Sequence, residues 1–196
     1  MAEPLSDRAL DQLFRSARSY NGYLDTPVTE TELRAIYELL KMGPTSANCQ
    51  PLRIAWCTTD ESKAKLAALA SATNAEKILK APVTAILAMD MEFYEKLPQF
   101  FPHADARSWF TGNAELIQTT AFRNSSLQSA YFIMAARALG LDTGPMSGFD
   151  NAAVDEAFFP RTSLKSNMIS TLGRGDPASI FERLPRPHFE ETNIIV

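Results

Sequence analysis

The chain has 196 residues, of which 45% are hydrophobic and 21% charged, with a formal net charge of -4 and a pI near 5.3. That length suits one domain, 1–196, that buries roughly 70% of its unfolded surface, and the acidic balance argues against nucleic acid, whose phosphates need a basic stripe. Two cysteines and two histidines, Cys49, Cys57, His103 and His188, make no zinc-ligand pattern, no apolar run approaches the roughly 20 residues of a membrane span, and Met1-Ala2-Glu3-Pro4 is not a signal peptide. The expectation is a cytoplasmic protein with reduced thiols, no metal and no membrane partner.

Leu10, Leu13, Phe14 and Ala17 share a helical face, so a first helix is expected from about Asp7 to Ser19. Thr29 and Glu32 form a capping box for a second helix, with Leu33, Ile36, Tyr37 and Leu40 as its buried stripe and Gly43-Pro44 as its stop. The next segment, Thr45-Ser46-Ala47-Asn48-Cys49-Gln50-Pro51, sets small hydroxyl and amide side chains between two prolines. Such a turn either presents polar groups to a ligand at low entropic cost or simply caps itself.

Arg53–Thr58 and Val83–Met89 read as strands, the second apolar throughout and therefore buried on both faces. Helices are expected around Ser62–Leu69 and just before Pro82. A long helix should run from about Asn113 to Leu139 and stop at Gly140. Its polar block Arg123-Asn124-Ser125-Ser126 is either an exposed stripe or a patch facing a cofactor or a second subunit. A loop at Leu141–Phe149, a short helix through Val154 and Phe158, and a strand near Asn167–Leu172 complete an α+β pattern, with an arm from about residue 173 to 196.

No nucleotide fingerprint is present: Gly173-Arg174-Gly175 supplies half a dinucleotide motif with no helix after it, and there is neither a Walker loop nor a nucleophile elbow. Hydrolase chemistry is not indicated. What remains is a set of polar and cationic points: Arg18-Ser19, the Thr45–Gln50 turn, the Gly144–Phe149 loop, and Arg183 with Arg186.

On those residues the chain resembles the nitroreductase-like family of FMN-dependent oxidoreductases. The runs Gly43-Pro44-Thr45-Ser46-Ala47-Asn48, Phe101-Pro102-His103, Asp105–Phe110, Phe122–Ser126 and Gly140–Phe149 are similar to the branch containing the malonic semialdehyde reductases of pyrimidine degradation. The resemblance implies a homodimeric α/β sandwich whose central, mostly antiparallel mixed sheet is flanked by helices. It implies FMN as cofactor and NADH or NADPH as diffusible co-substrate, with ping-pong hydride transfer through flavin N5.

Carried over by position, Arg18, Ser19, Asn21, Arg183 and Arg186 would serve the phosphate and ribityl chain, a guanidinium meeting phosphate oxygens with two parallel donors. Asn21 stands where many relatives carry a second arginine, and Leu184 where they carry lysine, with Arg183 beside it as the substitute. The alternative for Arg183 and Arg186 is a solvated basic tail. Pro44, Thr45, Ser46, Asn48 and Gln50 would line the flavin ring, with the Asn48 amide matched to its donor and acceptor edge. Pro145, Met146, Ser147 and Gly148 would bring backbone donors near N5, and Cys49 is expected to pack without a redox role.

Arg107, with Trp109 and Phe110, is the expected partner for a substrate carboxylate, and Phe100, Phe101 and Pro102 form either a lid or a plain surface helix. The substrate so implied is malonic semialdehyde, reduced to 3-hydroxypropionate. Alternatives are a broad nitro- or quinone-reducing enzyme on the same scaffold and a flavin-binding protein without turnover.

Overall fold

A computed structural model describes residues 3–196; Met1 and Ala2, the first half of the N-terminal stretch read above, lie outside them. The chain opens with a single turn, α1 (Asp7–Leu10), that widens into a π-turn over Asp11–Arg15. Helix α2 (Glu30–Leu40) starts at the expected capping box: Glu32 N–H donates to Thr29 Oγ1 at 3.3 Å, and Thr29 N–H donates to Glu32 Oε2 at 2.7 Å. It buries Leu33, Ile36 and Leu40 but leaves Tyr37 about half exposed on its flank.

Strand β1 (Leu52–Cys57) is followed by α3 (Asp60–Ala67) and α4 (Ala72–Lys80), then by β2 (Val83–Asp90). A 3-10 turn at Phe93–Lys96 leads into the single-turn α5 (Leu97–Phe100). The spine α6 (Ala114–Ala138) has 25 residues, about 37 Å at 1.5 Å per residue. Strand β3 (Asp142–Met146), α7 (Asn151–Phe158), β4 (Leu164–Gly173) and a final turn α8 (Phe189–Thr192) complete the chain.

The sheet has the order β1-β2-β4-β3 with every neighbouring pair antiparallel. Among the described residues the one parallel element is a bridge between Ser19 and Thr143 on the outer edge of β3. β2 is buried from Val83 to Met89, as its unbroken apolar run requires. On one face it packs with α2 and α6 through Ile36, Leu40, Leu87 and Phe132, and on the other with α3, α4 and α7 through Leu66, Ile78, Ile86 and Val154.

Two expectations are corrected. The Leu141–Phe149 loop is a strand over Asp142–Met146; its Thr-Gly-Pro core hides the strand pattern, and Pro145 is tolerated because β3 is an edge strand. The first helix ends at Ser16, not Ser19, because Tyr20 N–H donates to Thr143 O at 3.2 Å and draws the chain into extended backbone.

The face of α6 turned inward is also unusual in composition. Thr120, Asn124, Ser125, Gln128 and Ser129 are buried, while Leu116, Phe122, Leu127 and Tyr131 are exposed. The Asn124-Ser125 part of the polar block is therefore not a solvated stripe. Asn124 Oδ1 accepts from Ser46 N–H at 2.8 Å, and Asn167 on β4 donates to Ser125 Oγ and Ser126 Oγ at 2.8 and 3.0 Å.

Candidate functional site

The sheet edge at β3 builds the first part of the site. The bridge to Thr143 carries Ser19 and Arg18 to the end of α6, where the C-terminal arm returns. A cavity of about 530 Å³ is lined there by Arg18, Ser19, Arg137, Arg183 and Arg186, with Phe14 and Phe181 as apolar walls and Glu182 as the sole carboxylate among its lining residues. Two residues from the start of the chain thus meet two arginines from its end.

The arm is held by Arg18 from the body and by Arg183 from the arm itself. Arg18 donates to the carbonyl of Phe181. Arg183 donates to the carbonyls of Arg15 and Ala17, both at 2.9 Å. Among the described residues Arg186 bonds only to the carbonyls of Leu184 and Pro185 beside it. Asn21 faces elsewhere: its amide donates to Ser179 O at 3.0 Å in a neighbouring hollow.

Arg137 is the member that the sequence reading missed. It lies in the last turn of α6, where a basic residue reads as a complement to the helix dipole. Its Nη1 donates to Leu13 O at 2.9 Å, but its Nε is buried without an acceptor among the described residues. Burial, offset by Asp142 and reinforced by Arg183, holds its pKa below the usual guanidinium range. A buried, unpaired donor among like charges favours an anion in the cavity.

The second part is the turn after α2. Ala47, Asn48 and Gln50 adopt φ values of 48°, 49° and 43°, a region that non-glycine residues enter only when their surroundings hold them there. Gln50 N–H donates to Thr45 Oγ1 at 3.2 Å, and Asn124 holds Ser46. Asn48 and Gln50 line a cleft of about 470 Å³ with Gln128, Phe100, Tyr37 and the cations Lys41, Arg53 and Lys96. The Asn48 amide is already engaged within the chain, accepting from Gln50 and donating to Phe100 O. No lining residue is shared with the arginine cavity.

Pro145 and Met146 form the end of β3, and Ser147 and Gly148 follow it. The close approach at Gly148 is made by α4: an added Cβ would stand 2.8 Å from Asn74 Nδ2, which already donates to Gly148 O at 3.0 Å. Cys49 is packed at 1% exposure, and burial pushes its thiol up to about 11.

The candidate substrate residues separate. Arg107 makes a bidentate pair with Glu95 at 2.7 and 2.8 Å, and its bonds hold the Glu95 carboxyl below the usual carboxylate range. Trp109 is half exposed against Phe101, whereas Phe110 is core, its ring 4.9 Å from that of Phe93. Among the described residues no group of His, Cys, Asp and Glu could hold a metal, and no helix is long and apolar enough to cross a membrane.

The profile of the Nitroreductase family matches residues 14–173, and the chain belongs to that family. A Bacillus subtilis protein named as the nitroreductase ydfN is 23% identical, with a TM-score of 0.88 over 97% of this chain and 100% of that one. A protein of Exiguobacterium sibiricum, named as a nitroreductase and solved in complex with FMN, is 20% identical over the whole of both chains, with a TM-score of 0.84. A Staphylococcus epidermidis protein named as an NAD(P)H:FMN oxidoreductase is 18% identical, again over the whole of both chains at 0.84. These likenesses establish the nitroreductase fold for the α+β architecture described above.

Proposed function

We propose that the chain is an FMN-dependent NAD(P)H oxidoreductase, cytoplasmic and homodimeric, that reduces malonic semialdehyde to 3-hydroxypropionate. The observation that carries the reading is the arginine cavity. Arg18, Arg137, Arg183 and Arg186 converge there with the Ser19 hydroxyl, a donor set suited to a phosphate monoester, and the orphaned Arg137 Nε gives that set an unmet demand for an acceptor. The FMN named with the Exiguobacterium protein and the NAD(P)H:FMN activity named with the Staphylococcus protein support the same cofactors.

Bound FMN would accept hydride from NADH or NADPH and pass it to the second substrate, so no side chain need act as nucleophile or base. The chain's own residues bind and orient. Arg18, Ser19, Arg183 and Arg186 take the phosphate end, whereas Asn21, turned into the neighbouring hollow, ties the arm through Ser179. Pro44, Thr45, Ser46, Asn48 and Gln50 form the wall for the ring, and the Pro145–Gly148 segment brings backbone donors to its edge. Because the Asn48 amide is spent on Gln50 and Phe100, the Thr45 hydroxyl accepts from Gln50 N–H and Ser46 N–H donates to Asn124, the ring would meet the Ser46 hydroxyl rather than the Asn48 amide.

Homodimerisation is supported by three features. The outward row Leu116, Leu127 and Tyr131 on α6 is exposed, as is Phe122 on another flank of that helix, Ile194, Ile195 and Val196 are exposed too, and the arginine cavity and the ring wall share no lining residue in one chain. A second copy would cover the row and bring one chain's cavity to the other's wall. The reading includes a single domain, 1–196, with a C-terminal arm from about residue 173 that packs back on its own chain.

Arg107 with Trp109 would take the substrate carboxylate. Glu95 stands in its place at 2.7 Å, so a substrate acid would enter by exchanging one carboxylate for another. That competition favours a second reading, broad nitro- or quinone reduction without a dedicated carboxylate site. Comparing kcat/KM for malonic semialdehyde with that for a nitroaromatic decides between them. A flavin-binding protein without turnover would keep its yellow colour when NADH is added anaerobically.

The cofactor assignment is tested by Arg18→Ala. Loss of one charge-assisted bond should weaken FMN binding by roughly ten- to a hundredfold, read by flavin fluorescence on titration of the apoprotein. Full flavin occupancy in the purified variant would exclude the assignment.

A further inference from the structure

Four hydrogen bonds run in one direction through the wall of the second cleft. Leu52 N–H, an edge-strand donor that no neighbouring strand takes, donates to Gln128 Oε1 at 2.9 Å. Gln128 Nε2 donates to Gln50 Oε1 at 2.6 Å, Gln50 Nε2 donates to Asn48 Oδ1 at 2.9 Å, and Asn48 Nδ2 donates to Phe100 O at 3.0 Å. An amide side chain can be turned end for end, yet here the sense is fixed. A backbone N–H can only donate and a backbone carbonyl can only accept, so each of the three amides has one orientation that satisfies both neighbours.

We propose that Gln128 is a positioning residue that, through this relay of amides, sets both the strained Thr45–Gln50 turn and helix α5 on the far side of the cleft. Three features suit Gln128 to that role. It is only 3% exposed, it projects from the rigid spine α6, and its anchor is the backbone of β1. The other end is weakly held. α5 is a single turn, and the carbonyl of its last residue, Phe100, is one of the acceptors a helix end leaves unpaired. Asn48 supplies the missing donor. The relay thus carries orientation from a buried helix to an exposed turn that lines the cleft and on to Phe100 on its rim.

The test exploits polarity. In Gln50→Glu the carboxylate, half exposed, still accepts from Gln128 but has nothing to donate to Asn48. Asn48 must turn to donate inward, which points its oxygen at the Phe100 carbonyl and breaks the last link. Hydrogen exchange of the Leu97, Gln99, Phe100 and Phe101 amides should then quicken by roughly twofold to tenfold, the worth of one hydrogen bond. Asn48→Ala should give the same change. Gln128→Asn, one methylene too short to reach from Leu52 N–H to Gln50, should also give it, although the hydrogen bonds of the Gln128 side chain go to Leu52 and Gln50 rather than to α5.

The double variant Gln50→Glu with Asn48→Ala should exchange no faster than Asn48→Ala alone. These exchange measurements stand whether or not the chain binds FMN. If the oxidoreductase reading also holds, Gln128→Asn, which loosens the turn assigned to the flavin ring, should also weaken FMN binding by a similar factor. Unaltered exchange at 97–101 in Gln50→Glu, or additive effects in the double variant, would overturn the relay.

Discussion

Gly144 is the point where the sheet edge, the N-terminal segment and the arginine cavity depend on one missing methyl group. A Cβ added there would lie 2.4 Å from Thr171 Oγ1 on β4 and 2.8 Å from the carbonyl oxygen of Tyr20. Ordinary contact begins near 3.4 Å, so β3 would have to move away from β4 and from Tyr20 at once, by up to about 1 Å. Overpacking of this kind costs roughly 1 to 3 kcal/mol. For a chain of this length each kcal/mol lowers Tm by about 2 to 4 °C, so Gly144→Ala should melt roughly 2 to 12 °C below the wild type in differential scanning calorimetry. The displaced Tyr20 should loosen the Ser19–Thr143 bridge and weaken anion binding in the cavity. Thr171→Ala removes the nearer obstacle, and although it frees the Tyr23 hydroxyl bonded at 2.6 Å, combined with Gly144→Ala it should cost less than the two separate losses together. A Tm for Gly144→Ala within about 1 °C of the wild type would refute the steric reasoning.

Arg107→Ala should raise KM for malonic semialdehyde roughly ten- to a hundredfold, and Glu95→Gln, which removes the competing carboxylate, should lower it; steady-state kinetics check both, and an unchanged KM in Arg107→Ala would transfer the preference to broad nitro- or quinone reduction. Asp142, half-buried on β3, has its pKa raised by burial against the opposing bond from Gly175 N–H and the charge of Arg137. The folded protein therefore binds the Asp142 proton more readily than the unfolded chain, and it gains stability from that carboxyl as pH falls through the folded value towards the ordinary range near 4. Asp142→Asn keeps an acceptor for Gly175 and should melt higher than the wild type at pH 7, with the difference closing as pH is lowered towards 4; an Asn variant that melts lower at pH 7 would show that the Arg137 attraction outweighs burial.

How much of the molecule is legible in its sequence depends on how local the signal is. The capping box at Thr29 and Glu32, the unbroken apolar run of β2 and the Gly140 stop of α6 can be read correctly because each is a pattern within a few neighbouring residues. β3 escapes such a reading because its strand character comes from the β4 partner rather than from its own Thr-Gly-Pro core. Tyr37 and Phe110 show the same limit from the other side. Periodicity places Tyr37 in a buried stripe from which it projects, and nothing local to Phe110 announces its contact with Phe93.

By itself, then, the order of residues determined the placing of α2, β1, β2 and α6 but not of β3, that a polar turn follows α2, and that cations stand near both ends. Only tertiary structure decided that Arg137 joins those cations, that the Asn48 amide is spent on Phe100, and that Arg107 is engaged by Glu95. The reason is physical: backbone propensity acts over a turn or two, whereas a hydrogen bond between residues 48 and 100 exists only after the packing of the apolar core has brought distant segments within 3 Å.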